Sequence, residues 1–217
     1  MNEAPQRVSA VVGITEDEIN YDPRANSVAG QMITWVFIPL IGLSAMFAAE
    51  RTGGTLRRLL VTPTSKALFI GGTVFGQVLT ALVQMALLIT FGALVMKINW
   101  GQAPGALALV MLTAALAAAS LGTMLGTFVK TEGQANGLSI MIGMVMAMMG
   151  GAWYPIELFP EAIRTAAQAL PTYWAMRGFL NIAVRGQGLS GVLLESGILF
   201  GFALLFFSFG VWRFKYE

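Results

Sequence analysis

The chain has 217 residues, of which 56% are hydrophobic and 11% are charged, and its formal net charge is +2. Apolar runs of about 20 residues recur along it, which excludes an ordinary soluble domain and predicts an integral membrane protein. The small net charge and the lack of a long basic tract exclude nucleic acid as an expected partner.

The apolar runs predict an all-α, polytopic transmembrane helical bundle with five spans. We expect these spans at about 28–49, 67–96, 105–129, 136–152 and 192–212. Residues 1–25 are polar and mostly acidic, so they are expected outside the hydrocarbon as the tail of an external domain, and 26–217 form the transmembrane domain. Pro39 predicts a kink in the first span, where neighbouring helices must satisfy the carbonyl that proline leaves free.

The loop at 50–66 is the most charged interruption of the apolar runs. Arg51, Arg57 and Arg58 alternate there with leucines, a pattern typical of about two turns of amphipathic helix. Basic residues in short loops favour the cytoplasmic side. We therefore expect this loop and the C-terminus in the cytoplasm, and the N-terminal segment outside.

The segment 153–188 fits neither a loop nor a span, because prolines divide it into short apolar pieces. Pro160 can open one short helix, and Thr172 can cap a second. Helices of this length cannot cross a bilayer but can enter one leaflet beside other helices. We expect a re-entrant or interfacial helical hairpin on the outer side, marked by Trp153, Tyr154, Pro155, Pro160 and Pro171.

Four polar residues of the second span fall on one helical face: Thr73, Gln77, Thr80 and Gln84. Polar groups avoid lipid, so this stripe should face another helix or a cavity. Two interpretations stay open, namely hydrogen bonding between helices and the lining of a translocation path.

Small residues recur at a spacing of four in the next two spans, at Gly122, Gly126, Ser139, Gly143, Ala147 and Gly151. They permit close helix packing, either within the chain or at a dimer seam. Glu195 is an acid in the first turn of the last span. It is expected near the interface or in an ion or substrate role, with Arg177 and Arg185 as partners.

Enzyme chemistry has little support in this sequence. Cysteine and histidine are absent, which removes thiol nucleophiles, a Ser-His-Asp set and the usual zinc ligands. Gly53-Gly54-Thr55 lacks the lysine and the preceding strand of a phosphate-binding loop. No catalytic residue and no metal site are therefore expected.

Three stretches resemble the membrane-spanning subunit of ABC-2-type ABC transporters, the export permeases. They are NYDPRANSVAGQMITWVFIPLIGLSAMFAAERTGGTLRRLLVTPTS at 20–65, LGTMLGTFVKTEGQANGLSIMIGM at 121–144 and GGAWYPIELFPEAIRTAAQALPTYWAMRGF at 150–179. The most specific part is the pattern E-R-x-x-G-T-L-R-R-L-x-x-T-P. With the spacing of the spans, the resemblance covers nearly the whole chain.

The resemblance implies a permease subunit of an ATP-driven exporter in the plasma or inner membrane, surrounded by lipid. It implies that a separate ABC ATPase subunit binds ATP and magnesium, and that this chain carries no cofactor and pairs with a second copy or a second permease. The first loop would be a coupling helix that docks on the ATPase through Glu50, Arg51, Gly54, Thr55, Arg57 and Arg58. The outer hairpin would cap the pathway.

Members of this family typically have six spans, the first of them ahead of an external domain. This chain begins near the end of that domain, so we expect a further span upstream. A path lined by threonine, glutamine, methionine and glycine favours an amphipathic or apolar cargo of the drug or lipid class. The alternative is a non-ABC helical membrane protein, such as an ion-coupled secondary carrier or a scaffold.

Overall fold

The computed structural model describes residues 22–52, 66–100 and 103–213. Within these ranges the chain is helical and contains no strand, which confirms the all-α fold class. Eight α-helices follow in chain order: α1 Pro23–Ile41, α2 Leu43–Thr52, α3 Lys66–Leu94, α4 Pro104–Gly126, α5 Glu132–Met149, α6 Glu161–Ala167, α7 Pro171–Ala183 and α8 Leu193–Arg213. Single turns of 3-10 helix lie at Ile156–Leu158 and Leu189–Val192.

Four segments of the described chain are long and apolar enough to cross a membrane: Pro23–Met46, Leu68–Leu94, Pro104–Gly126 and Leu189–Arg213. Helix α5 coincides with most of the expected span at 136–152 but is not among the four. Its first turns carry Glu132, Gln134 and Asn136, which lower its mean hydropathy. The expectation of five crossings stays a prediction.

Local sequence signals set where several helices begin. Asp22 caps α1, because its carboxylate accepts hydrogen bonds from the backbone N–H groups of Arg24 at 2.8 Å and Ala25 at 3.4 Å. Thr131 caps α5 by accepting from the N–H of Gln134 at 3.3 Å. Proline opens three helices, at Pro23, Pro104 and Pro171.

Helices α1 and α4 form the centre of the bundle. Helix α4 packs against α1, α2, α3, α7 and α8, and α1 also packs against α3, α5 and α7. The core side of α4 is built from alanines that are fully buried: Ala114, Ala115, Ala117, Ala118 and Ala119. Such short side chains let neighbouring helices approach closely, and α1 fills the space between them with large residues such as Phe37 and Ile33.

The bundle has two ends. The hairpin end holds the beginnings of α1, α4 and α8, the ends of α3 and α5, and residues 150–192 between α5 and α8. The loop end holds the end of α2 and the beginning of α3, where a small cluster of Ala48, Val129 and Ala135 joins α2 to α5. Residues 53–65, which connect α2 to α3 there, lie outside the described part of the chain.

Close packing surrounds an interruption of the first span. Pro39 lies inside α1, and the helix ends at Ile41 and resumes at Leu43, so it is interrupted at Gly42, three residues after the proline. The kink near Pro39 stays a prediction. A Cβ atom added to Gly122 of α4 would overlap the carbonyl oxygen of Leu40. One added to Gly143 of α5 would lie 2.6 Å from the Ile38 side chain. These two glycines therefore pack against α1 within the chain.

Replacing Gly122 by alanine should lower the free energy of unfolding by about 1–3 kcal/mol, because the new methyl group overlaps α1 backbone. The matched control is Gly76→Ala in α3, where an added Cβ meets nothing within 4 Å. There alanine should be neutral or stabilising by up to about 1 kcal/mol through its helix propensity. Unfolding of both variants in detergent micelles measures the difference, and equal destabilisation would contradict the packing.

Candidate functional site

The polar residues of the α3 stripe differ in where their side chains form hydrogen bonds. The hydroxyls of Thr73 and Thr80 donate back to their own helix, to the carbonyls of Phe69 at 3.2 Å and Gly76 at 3.1 Å. Gln77 is half-buried. Gln84 instead leaves its helix, and its side-chain amide donates to the Trp35 carbonyl of α1 at 3.1 Å. The role of these four residues in a translocation path stays a prediction.

The carbonyl bound by Gln84 is the one that Pro39 leaves free. In a regular helix the Trp35 carbonyl would accept from the backbone N–H four residues later, and proline at that position has no N–H. Such a carbonyl needs another donor at membrane depth, and Gln84 provides it. The structure thus identifies the neighbour that the sequence showed to be necessary but could not name.

Helix α5 contacts the chain on both flanks of the break at Gly42. The Ser139 hydroxyl lies 3.2 Å from the Ile41 carbonyl and 3.1 Å from Ser44 Oγ, and Ser139 and Ser44 are both buried. Ser139 also lies 2.7 Å from the carbonyl of Ala135 in its own helix. Hydrogen bonds from α3 and α5 therefore hold the interrupted helix in place.

An exposed strip runs along α1 on the face that the other described helices leave open. It consists of Ser27, Gln31 and Trp35, and the Trp35 side chain is 57% exposed. The indole N–H of Trp35 donates to Gln31 Oε1 at 2.6 Å, which orients the ring. Sequence reasoning missed this strip. The signal for it is the spacing of four between Gln31 and Trp35 in an apolar run, which places both on one helical face.

The strip borders the beginning of the hairpin. The indole N–H of Trp153 donates to Thr34 Oγ1 at 3.0 Å, and a Cβ atom added to Gly30 would overlap the Ala152 carbonyl. A cavity of about 250 Å³ lies at this junction, lined by Asn26, Ser27, Gln31, Ala152 and Trp153. Its uncharged polar groups and indole ring can contact a molecule that has both polar and apolar parts.

The hairpin has the expected two short helices. Trp153 and Tyr154 are exposed, Pro155 precedes the 3-10 turn, Pro160 precedes α6, and Pro171 is the first residue of α7.

The predicted cap of the second hairpin helix is wrong. Leu170 occupies the N-cap position of α7 and makes no side-chain capping bond. Thr172 falls inside the helix because Pro171 opens it, and its hydroxyl donates to the Met146 carbonyl of α5 at 2.6 Å. Thr172 therefore joins the hairpin to the end of α5.

A buried acid joins α7 to α8. Glu195 is 2% exposed, and its Oε1 lies 3.0 Å from Arg177 Nε and accepts from the Asn181 amide at 3.1 Å. Asn181 Oδ1 in turn accepts from Arg185 at 2.5 Å. Both predicted arginine partners thus reach Glu195, one directly and one through Asn181. Sequence reasoning missed Asn181, although the spacing of four on α7 places it on the same face as both arginines.

Two of the predicted coupling residues lie in the described part of the loop end. Glu50 and Arg51 belong to the last turn of α2, with side chains outside the description. Gly54, Thr55, Arg57 and Arg58 lie outside the described residues altogether. Their role in binding an ATPase stays a prediction.

The apolar helices define a multi-pass membrane protein. A family model described as ABC-2 family transporter protein matches residues 20–212, so the chain belongs to that family.

Three curated relatives are permeases by name. The chain is 28% identical over 187 residues to the linearmycin resistance permease protein LnrN of Bacillus subtilis, covering 86% of this chain and 48% of the relative. It is 27% identical over 135 residues to the putative transport permease YvfS of the same organism, covering 62% and 55%. It is 29% identical over 189 residues to the inner membrane transport permease YhhJ of Escherichia coli, covering 84% and 49%. The chain thus spans about half the length of these relatives.

The hydrogen bond from Gln84 to Trp35 can be tested by a double-mutant cycle. Gln84→Leu should cost about 0.6–1.7 kcal/mol of stability, because the freed Trp35 carbonyl loses its donor. In a Pro39→Ala background the backbone N–H of residue 39 can bond that carbonyl, so the same change should cost less.

Gln77→Leu is the matched control for this cycle, since Gln77 lies on the same stripe and makes no hydrogen bond to another helix in the described part of the chain. Its cost should not depend on residue 39. Unfolding free energies in detergent provide the measurement. An equal cost of Gln84→Leu in both backgrounds would show that the carbonyl left by Pro39 is not what Gln84 stabilises.

Proposed function

We propose that the chain is the membrane-spanning permease part of an ATP-driven exporter, and that a separate ABC ATPase subunit binds ATP and magnesium and hydrolyses ATP. The observation that carries the proposal is the family match across residues 20–212, which includes the whole helical bundle. The permease names of three relatives support it. The 217 residues contain no phosphate-binding loop, which agrees with ATP hydrolysis by a separate subunit.

Coupling to the ATPase takes place at the loop end. The basic loop with Arg57 and Arg58 joins α2 to α3, and α2 packs against both α4 and α5. A force on this loop is therefore transmitted to the α2 segment that lies beyond the break at Gly42. ATP binding and hydrolysis in the partner shift the bundle between inward-open and outward-open states by favouring one of them.

The translocation path runs along the exposed strip of α1, with the α3 stripe from Thr73 to Gln84 beside it. The support is spatial, because Gln84 bonds to the Trp35 backbone and so places the α3 stripe next to the strip. The 250 Å³ cavity at the hairpin end has no ionisable lining residue. This surface suits an amphipathic or apolar cargo of the drug or lipid class, and the name of LnrN, a linearmycin resistance permease, agrees with that class.

The exporter consists of two permeases around one path, either two copies of this chain or this chain and a second permease. It lies in the plasma or inner membrane. The hairpin end and the N-terminal segment face outward, and the loop end and C-terminus face the cytoplasm. The basic residues of the 50–66 loop support this orientation.

Charge reversal at the loop tests the proposal in the complete transporter. Arg57→Glu combined with Arg58→Glu should reduce both ATPase association and transport at least about tenfold. The reason is that the ATPase surface that binds two guanidinium groups would then face two carboxylates. The matched control is Arg24→Glu combined with Arg164→Glu, two exposed arginines of the hairpin end. Pull-down of the ATPase and a cargo efflux assay provide the readouts. Normal association and efflux in the loop variant would refute the coupling role.

A further inference from the structure

A second cavity at the hairpin end carries charge. Its volume is about 150 Å³, and it lies between the beginning of α1, the turn after α5, the 3-10 turn and α7. The polar side chains that line it are Asn26, Glu157, Tyr173, Arg177 and Arg185. It is separate from the uncharged cavity beside Trp153 except for Asn26, which borders both.

Asn26 is the first sign of a ligand. The residue is 4% exposed, yet its side-chain amide has no hydrogen-bond partner among the described residues. The fully buried side-chain polar atoms without a partner in the described chain are Trp100 Nε1 and Ser196 Oγ, so the Asn26 amide is instead reached from the two cavities that it borders. A polar group in this position is normally satisfied by water or by a ligand. Because Asn26 borders the cavity, a molecule bound there can supply the missing hydrogen bonds.

The arginines indicate the charge of that molecule. Arg177 is paired with the buried Glu195, but Arg185 bonds only to the neutral Asn181 and forms no ion pair in the described part of the chain. Each guanidinium has five N–H donors in a planar arrangement, so both retain donors beyond these bonds. An arginine without a carboxylate partner that lines a cavity together with Tyr173 and the Asn26 amide is suited to a phosphate group.

The surroundings indicate a lipid. The segment that carries the cavity residue Glu157 also exposes the large side chains of Trp153, Tyr154 and Leu158. Aromatic residues next to charged ones are typical of the boundary between hydrocarbon and water. We propose that this cavity binds the phosphate of a phospholipid headgroup, with Arg185 and Asn26 as its main contacts. The exposed carboxylate of Glu157 favours a headgroup that also carries an ammonium group, as phosphatidylethanolamine does.

The lipid site shares only Asn26 with the uncharged cavity beside Trp153, and binding there needs neither ATP nor cargo. Its occupant contacts α1, the turn after α5, and α7 at once, and so stabilises the hairpin on the bundle. Binding can therefore be measured on the full chain purified in detergent, as a rise in the thermal unfolding midpoint.

Three probes separate the sources of the phosphate. Phosphatidylethanolamine should raise the midpoint in a saturable way, whereas diacylglycerol with the same acyl chains should not. Inorganic phosphate should have little effect at concentrations where the lipid saturates. An equal rise with diacylglycerol would show that acyl chains alone bind, and an equal rise with inorganic phosphate would show that the ligand is the free ion. Either result would overturn the proposal.

Variants then locate the site. Arg185→Gln should weaken the apparent affinity for phosphatidylethanolamine about tenfold or more, and Arg185→Lys should retain part of it. Arg24→Gln is the charge-matched control, because Arg24 is exposed at the same end of the bundle and does not line the cavity. The affinity of this variant for phosphatidylethanolamine should stay within about twofold of the unchanged protein. If Arg24→Gln lost as much affinity for the lipid as Arg185→Gln, the lipid would be attracted by the positive charge of this end in general, and the proposal would be overturned.

Asn26→Leu separates binding from folding. Leucine replaces the unpartnered amide by an apolar group of similar size, so the unfolding midpoint without lipid should stay the same or rise. The lipid-induced rise should shrink at least as much as in Arg185→Gln. If Asn26→Leu lowers the midpoint without lipid and leaves the lipid-induced rise intact, Asn26 is structural and the cavity is not the phosphate site.

Discussion

The fold depends on the hydrogen bonds that satisfy the backbone of the interrupted first span. Pro39 removes the donor for the Trp35 carbonyl, and the break at Gly42 leaves the Ile41 carbonyl without a regular helix partner. A polar backbone group without a partner in hydrocarbon costs on the order of 2–7 kcal/mol. Gln84 donates to the Trp35 carbonyl, and the Ser139 hydroxyl lies within hydrogen-bond distance of the Ile41 carbonyl as well as of the Ala135 carbonyl in its own helix. These contacts join α3 and α5 to α1. The interruption thus organises the bundle around it.

This arrangement also explains why the small residues lie where they do. Gly122 and Gly143 let α4 and α5 reach the region of α1 next to its break, and a side chain at either position would occupy space that α1 already fills. The strip of Ser27, Gln31 and Trp35 stays exposed because these close contacts use the other faces of α1. One helix therefore combines a tightly packed side, which carries the fold, with an open polar and aromatic side, which is available for a ligand.

The sequence predicted the secondary-structure elements better than the side-chain contacts between them. Hydropathy and proline placement located the helices and the hairpin, and the loop and hairpin motifs identified the family, which the family match confirmed. Which side chain serves the Trp35 carbonyl could not be predicted, because Gln84 lies 49 positions away in sequence and only the register between two helices brings them together. Asn181 was missed for a related reason, since its spacing of four from Arg177 and Arg185 indicates a shared face but does not show that the buried Glu195 of another helix faces it.

In the orientation that we propose, the hairpin and the loop end of the bundle lie on opposite sides of the membrane. Because the chain has no cysteine, single cysteines can be introduced and labelled in cells with a membrane-impermeant maleimide. Thr165→Cys is exposed in the hairpin, and Glu132→Cys is exposed at the loop end. We expect that Thr165→Cys is labelled in intact cells and that Glu132→Cys is labelled only after the membrane is opened. Labelling of both positions from the same side would contradict it.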